Sequence, residues 1–239
     1  NIEQKVSVII PARYKSTRFP GKPLVEINGI PMIIRVSDIV GKAVGRENVY
    51  IATENSKIAK VVKDNGYKVI LTSDSCLTGT DRVAEASMEV DGDIIVNVQG
   101  DEPLLNPKHI QQVIDEKIKY PNHIINCMAR VESYENVEDT KLPKMVVNEE
   151  NELMYSSRSV IPGSKYGNGK NPKKQVCIYA FNKEELSKFG SRKEKTPLEW
   201  SEDIEINRFL EMGMKVKMVE VDDVTHAVDF PEDVKIVEE

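Results

Sequence analysis

Four short runs of aliphatic residues, separated by amphipathic helical stretches, constrain this chain more than any other feature. They cover residues 6–10, 49–53, 68–71 and 93–98 and are near-continuously apolar, the pattern of strands buried on both faces of a parallel sheet. One helical stretch begins at Pro31, a good first helical residue, and carries Met32, Ile33, Val36, Ile39 and Val40 on one side. A second follows Asn55 as a cap and turns Ile58, Ala59, Val61 and Val62 inward. A third follows Thr80, with Val83, Ala84 and Met88 at helical spacing. This alternation predicts an α/β fold built on a doubly wound, mostly parallel sheet with right-handed crossovers. Ligands of such sheets sit beyond the carboxyl ends of the strands.

After Asn106-Pro107 the pattern changes. Residues 123–131 and 145–147 read as strands, followed by a polar turn at Glu149-Glu150-Asn151, then Tyr155-Ser156-Ser157-Arg158 and a Gly/Asn/Lys/Pro loop over 163–174. Another strand is predicted over 175–181. This middle part reads as a smaller antiparallel excursion, a place for specificity or subunit contacts. Thr196-Pro197-Leu198-Glu199 combines a cap, a first-turn proline and a capping-box glutamate, and predicts a helix to about Gly213. A strand over 215–221 and a short helix from Pro231 close the chain.

The 239 residues suit one large domain. The net charge is −6 with no basic block, which argues against a nucleic-acid partner. Cys76, Cys127 and Cys177 form no CxxC pair, which favours a reduced compartment over disulfide or zinc frameworks. No apolar stretch approaches the roughly 18 residues of a membrane span and no leader is visible, although the sequence starts at Asn1. A cytoplasmic protein without membrane insertion is expected.

The first strand runs into Pro11-Ala12-Arg13-Tyr14-Lys15-Ser16-Thr17-Arg18-Phe19-Pro20-Gly21-Lys22. Small residues admit the backbone, prolines stiffen the path, and Arg13, Lys15, Arg18 and Lys22 supply charge for a polyanion such as a triphosphate; the alternative is a solvated basic loop. Thr72-Ser73-Asp74 and Gly79-Thr80-Asp81-Arg82 lie at a strand end and the next helix start. They favour a nucleotide edge, with Arg82 reaching a base carbonyl, or else Thr80 and Asp81 merely cap the helix. Asn97-Val98-Gln99-Gly100-Asp101-Glu102-Pro103 offers a carboxylate to a hard cation at the ligand edge, or forms an Asx turn. Asp229 follows the apolar pair Ala227-Val228 and reads as a second strand-end carboxylate able to share that metal, while Glu232 and Asp233 decorate the closing helix. There is no G-x-S-x-G elbow, Walker A motif or G-x-G-x-x-G turn, and His109, His123 and His226 lack metal-ligand spacing. What remains is phosphate binding by loop and cations with magnesium on aspartates, machinery suited to attack at phosphorus.

Taken together, these segments resemble the 3-deoxy-manno-octulosonate (Kdo) cytidylyltransferases. The likeness spans nearly the whole chain: Ile10-Pro11-Ala12-Arg13 with 16–24, Thr72-Ser73, 79–86, 96–104, Ser157-Arg158-Ser159 with Ile161-Pro162, Ile178-Tyr179-Ala180, and Val228-Asp229 with Pro231-Glu232-Asp233. The resemblance implies a Rossmann-like nucleotidyltransferase fold. Residues 1–120 and 214–239 would form the nucleotide and metal core, and about 121–213 the acceptor-binding and homodimerisation part. It implies CTP as co-substrate, with Arg13 and Lys22 on its phosphates, Arg18 as a further loop cation, and Pro11, Ala12, Thr72, Ser73, Gly79, Arg82, Gln99 and Gly100 lining the nucleotide. Asp101 and Asp229 would hold Mg²⁺; Arg13, Lys22, Asp101 and Asp229 would be catalytic. Gln99, Arg158, Gln175, Tyr179, Glu205 and Ile206 would face a sugar-acid acceptor, whose anomeric hydroxyl attacks the α-phosphorus.

The acceptor side departs from the family pattern. Gln175-Val176-Cys177-Ile178-Tyr179 stands where the family has His before Ile-Gly-Ile-Tyr. Ile206 replaces a polar Gln in Leu-Glu-Gln-Leu-Arg, Ser156 replaces an aromatic, Phe230 interrupts Asp-Thr-Pro, and Cys76 replaces a His. Losing hydrogen-bonding groups from a polyol pocket favours a different ligand, so the nucleotide half is expected to be retained and the acceptor half retuned, towards an amino or deoxy variant of Kdo or another small acid. A glycosyltransferase would be expected to carry a D-x-D triplet, and this sheet edge offers Gly100-Asp101-Glu102 instead. A non-catalytic nucleotide-binding protein would not need Arg13, Lys22, Asp101 and Asp229 together.

Overall fold

A computed structural model describes residues 4–167, 169–222 and 224–239; Asn168, within the predicted 163–174 loop, lies outside them. In chain order the strands and helices begin with β1 (Val6–Pro11), β2 (Glu26–Ile27), β3 (Ile30–Pro31), α1 (Met32–Val44), β4 (Val49–Thr53), α2 (Ser56–Asp64), β5 (Lys68–Leu71), α3 (Gly79–Ser87) and β6 (Ile94–Val98). Then follow α4 (Pro107–Lys119), β7 (Ile124–Arg130), β8 (Lys144–Val147), β9 (Leu153–Ser157), β10 (Lys173–Phe181), α5 (Lys183–Gly190), α6 (Pro197–Glu202), α7 (Ile206–Glu211), β11 (Val216–Glu220) and α8 (Asp233–Glu238).

The main sheet runs β11-β7-β10-β6-β1-β4-β5, with β8 paired to β10 and β9. β1 pairs in parallel with both β4 and β6, β4 with β5, and β7 with β11, whereas β10 is antiparallel to β6 and β7. The predicted doubly wound, mostly parallel sheet with an antiparallel excursion is the observed one. From β1 the chain winds outward through β4 and β5 and then returns to place β6 on the other side. The carboxyl ends of β1 and β6 therefore flank the point where the winding direction reverses, which is where such folds bind ligands.

The central strands β1 and β6 bury both faces. Val8, Ile10, Val96 and Val98 join α1, α2 and α4 in one core, while Ile9, Ile95, Val83, Phe181 and Phe209 form the other. β2 and β3 turn at Asn28-Gly29, both at positive φ (49° and 81°), a pairing that favours a two-residue hairpin.

Three local expectations are corrected. The cap of α3 is Thr78, whose hydroxyl accepts the Asp81 N–H at 3.1 Å, not Thr80 or Asp81. The helix expected to run from Thr196 to Gly213 breaks at Asp203, which sits in the left-handed region at φ 53°. Arg158 holds that break, donating to the Glu202 carbonyl and, at 2.8 Å each, to those of Asp203 and Thr140. Finally, Asp229 does not end a strand; it lies in an irregular segment tied down by the Val228 N–H, which donates to the Asp101 carbonyl at 2.7 Å.

Candidate active site

The loop after β1 is closed on itself. Gly21 N–H donates to the Tyr14 carbonyl (2.9 Å), Lys22 N–H to Phe19 (3.1 Å), and Tyr14 N–H to the Glu54 carboxylate (2.9 Å). Gly21 adopts φ 70° against the Tyr14 ring, so the closure favours glycine there. The four cations are consequently not equivalent. Arg13, Lys15 and Arg18 are exposed. Lys22 opens a short helical turn and is part-buried, with its ammonium 4.0 Å from the Asp101 carboxylate.

Asp101 follows β6 directly. Burial pushes its carboxyl above the usual range and Lys22 opposes that shift, while the Asp229 charge adds to it. Neighbouring Glu102 is raised to about 8, first by burial and then by Asp101, with Lys174 opposing. Asp229 reaches this spot because Asp233 accepts the N–H groups of both Asp229 and Phe230 at 2.9 Å, shaping the chain before α8. Arg18 lies 5.8 Å from the Phe230 ring, so the β1 loop and the C-terminal segment meet here. Among the described residues no group of three or more His, Cys, Asp or Glu side chains is placed to hold a metal. Asp101 and Asp229 are near enough to feel each other's charge, and two carboxylates suit Mg²⁺, which takes its remaining positions from phosphate oxygens and water.

On the other side of β1, Arg82 is buried under the ends of β4 and β5. Its Nη1 donates to the Thr72 hydroxyl (2.6 Å) and the Ser73 carbonyl (3.1 Å) and lies 3.7 Å from Glu54. Arg82 therefore shapes the wall carrying Thr72 and Ser73, with its Nη1 already engaged there. Gly79 begins α3. A Cβ there would sit 3.7 Å from each of the Gln99 amide, the Glu205 carboxylate and the Pro11 ring, so the ends of β1 and β6 and the starts of α3 and α7 converge on this glycine.

The predicted acceptor residues divide. Glu205 accepts the Thr80 N–H at 3.0 Å, and burial raises its carboxyl. The Gln175 amide donates to Asn126 Oδ1 (3.0 Å) and the Tyr179 hydroxyl (3.1 Å), and Asn126 donates at 3.0 Å to the carbonyls of Val176 and Ile178 across a register shift in β10. Cys177, between them, has its thiol pushed up by burial with Asp101 and Glu102 nearby, so it stays a protonated, packed side chain. Ile206 departs from the expectation of an open contact: it is fully buried in the second core with Ile204, Phe209 and Tyr179. Arg158 spends its guanidinium on the carbonyls at the α6–α7 break rather than presenting it to an acceptor.

Sequence reasoning missed Asn126, and named Asn97 only as the start of the segment leading to Asp101. Asn97 is fully buried on β6, and among the described residues its amide makes no hydrogen bond. Both were visible as single amides inside apolar strands.

A family model described as cytidylyltransferase matches residues 7–216. The chain belongs to that family. The 3-deoxy-manno-octulosonate cytidylyltransferase of Geobacter metallireducens is 37% identical, covering 98% of this chain and 97% of that protein. The 8-amino-3,8-dideoxy-manno-octulosonate cytidylyltransferase of Shewanella woodyi is 39% identical over the same shares. The structure of a CMP:2-keto-3-deoxy-manno-octonic acid synthetase complexed with CTP aligns with a TM-score of 0.91 at 31% identity, over 98% of this chain and 97% of that one. As a cytidylyltransferase this chain is a nucleotidyl-transferring enzyme, and its helices and sheet follow that fold.

Proposed function

We propose that this cytidylyltransferase transfers CMP from CTP to the anomeric hydroxyl of a 2-keto-3-deoxy sugar acid of the Kdo class, with either a hydroxyl or an amine at the far end, and releases pyrophosphate. The observation that carries the reading is the Lys22–Asp101 pair beside Asp229, set where the sheet reverses its winding. Relatives named for both acceptors match at nearly equal identity, so both stay within the acceptor class.

In this reading Arg13, Arg18 and Lys22 take the triphosphate, and Lys22 offsets charge gathering on the α-phosphate and the departing pyrophosphate. Pro11, Ala12, Thr72, Ser73, Gly79, Arg82, Gln99 and Gly100 frame the nucleotide. Gln99, Gln175, Tyr179 and Glu205 orient the acid, which together with the part 121–213 forms the acceptor side. Asp101 and Asp229 fit Mg²⁺, which when bound supplies charge that makes the attacking hydroxyl more acidic. A role in making surface glycans such as lipopolysaccharide or capsule, a homodimer and a cytoplasmic home complete the proposal; no helix among the described residues is long and apolar enough to cross a membrane.

The test is pyrophosphate release from CTP with Kdo, its 8-amino analogue and unrelated acids, with and without Mg²⁺. Release with one of the first two, dependent on Mg²⁺, is expected; none with either overturns the acceptor class. Asp101→Asn and Asp229→Asn should each lower turnover about a hundredfold or more with unchanged circular dichroism, and retained turnover would remove the metal assignment.

A further inference from the structure

Arg208 on α7 has a fully buried side chain and belongs to none of the sets assigned above to nucleotide, metal or acceptor. A buried guanidinium is costly unless its five N–H groups all find acceptors. Here they do. Nε donates to Glu199 Oε1 (2.8 Å) and Nη2 to Glu199 Oε2 (2.8 Å) on α6. Nη1 and Nη2 grip the two oxygens of Asp81 on α3 at 2.8 and 3.0 Å, and Nη1 also donates to the Phe189 carbonyl on α5 at 3.0 Å. The guanidinium lies 3.8 Å over the Phe189 ring.

Three residues upstream, and so on the same side of the helix turn, Glu205 accepts the Thr80 N–H. α7 thus holds the first turn of α3 at two adjacent points, Glu205 on Thr80 and Arg208 on Asp81. That turn opens with Gly79, the residue on which Pro11, Gln99 and Glu205 converge. α6 and α7 have six residues each, too short to hold their shape alone. The α6–α7 break at Asp203 leaves Glu205 on a brief segment that needs an anchor.

We propose that Arg208 is a positioning residue of the transfer reaction: by bridging Asp81 and Glu199 it locks the acceptor-side carboxylate of Glu205 and the nucleotide-side turn at Gly79-Thr80 into one unit. The inference rests on the acceptor reading of Glu205 given above. Because the two sites share one clamp, loosening it weakens both, and occupancy of either site strengthens the other.

The experiment compares wild type with Asp81→Asn, Arg208→Lys and Arg208→Met, each measured well below its own melting temperature and with a native near-ultraviolet spectrum. The Michaelis constants for CTP and for the sugar acid should both rise, and kcat/KM should fall about tenfold or more. Amide exchange should accelerate at Gly79-Thr80 while β1 and β6 keep their protection. In a Glu205→Gln background, Arg208→Lys should add little to the acceptor Michaelis constant, because its effect runs through Glu205. Variants that melt earlier but keep both Michaelis constants and the exchange at Thr80 overturn the proposal, since Arg208 is then packing alone. If the Arg208 variants do not fold, Asp81→Asn decides by the same readouts. If wild type turns over no sugar acid, the functional reading fails separately, and exchange at Thr80 in Asp81→Asn still decides whether the clamp exists.

Discussion

Lys22 and Lys15 sit in the same loop with the same charge, yet the fold treats them differently. Lys22 is pinned by the turn after Gly21 and faces Asp101, whereas Lys15 is exposed. A charge held in place stabilises a developing anion without reorganising, while a solvated one is screened. Lys22→Met is therefore expected to lower kcat about a hundredfold, and Lys15→Gln to leave it within about threefold; steady-state kinetics giving equal losses would refute the distinction. Ile206 carries the opposite lesson. Its neighbour Glu205 faces Gly79 and Thr80, and one residue along a helix turns the side chain by about 100° into the core. Replacing it by the polar residue of the family pattern, Ile206→Gln, buries an amide among Ile204 and Phe209. That should cost about 1–3 kcal/mol of stability with no gain in kcat/KM for any sugar acid, as urea titration and the pyrophosphate assay would report. Asp101 and Lys22 were legible because a strand that stops at a charged turn puts that charge at the ligand edge. The facing of Ile206 was not, because a motif gives order along the chain and not rotation about the α7 axis.

At the scale of elements, the strands and helices of the first half were legible from apolar runs and caps such as Asn55, whose side chain accepts two α2 N–H groups at 2.9 and 3.1 Å. The α6–α7 break was not, because it depends on Arg158 arriving from a distant part of the chain to bind the freed carbonyls. The β8–β9 hairpin depends on a similarly distant tie. Its turn residue Glu152 sits 2.9 Å from His123 Nε2, beside the start of β7. That hydrogen bond, with a second from Asn148, holds the Glu152 carboxyl below its ordinary value of 4.5. A carboxyl depressed in the folded state stabilises above its unfolded pKa, and the benefit is lost as pH falls through the lower folded value. The stability difference between wild type and His123→Phe should therefore be present at about pH 6 and shrink below about pH 4.5. Denaturant midpoints separated by the same amount down to about pH 3 would show that the pair does not anchor the hairpin.

For the molecule as a whole, the sheet order explains why segments remote in sequence make one site. The return of β6 beside β1 brings residues 99–102 against the 11–22 loop, and the Val228–Asp101 hydrogen bond draws in the C-terminal segment. Sequence reading placed the first two on one edge from topology alone. It placed Asp229 there as a strand end read from the apolar pair Ala227-Val228, a pairing the resemblance strengthened, whereas the segment is irregular and reaches the edge through the Val228–Asp101 hydrogen bond. The same arrangement sets exposed Arg13, Lys15 and Arg18 on a chain of net charge −6, so in the proposed reading a tetra-anionic nucleotide approaches against the overall field and these cations draw it in. Exposed charges are screened within about 8–10 Å at ordinary salt, and part-buried pairs much less. Raising ionic strength from about 0.05 to about 0.5 M should therefore raise the Michaelis constant for CTP severalfold while kcat, assigned in the proposed reading to Lys22, changes little. Arg13→Gln should flatten that salt dependence. A kcat that falls in step with kcat/KM would instead place the screened charges in the chemical step and dissolve the division between a steering rim and a fixed inner lysine.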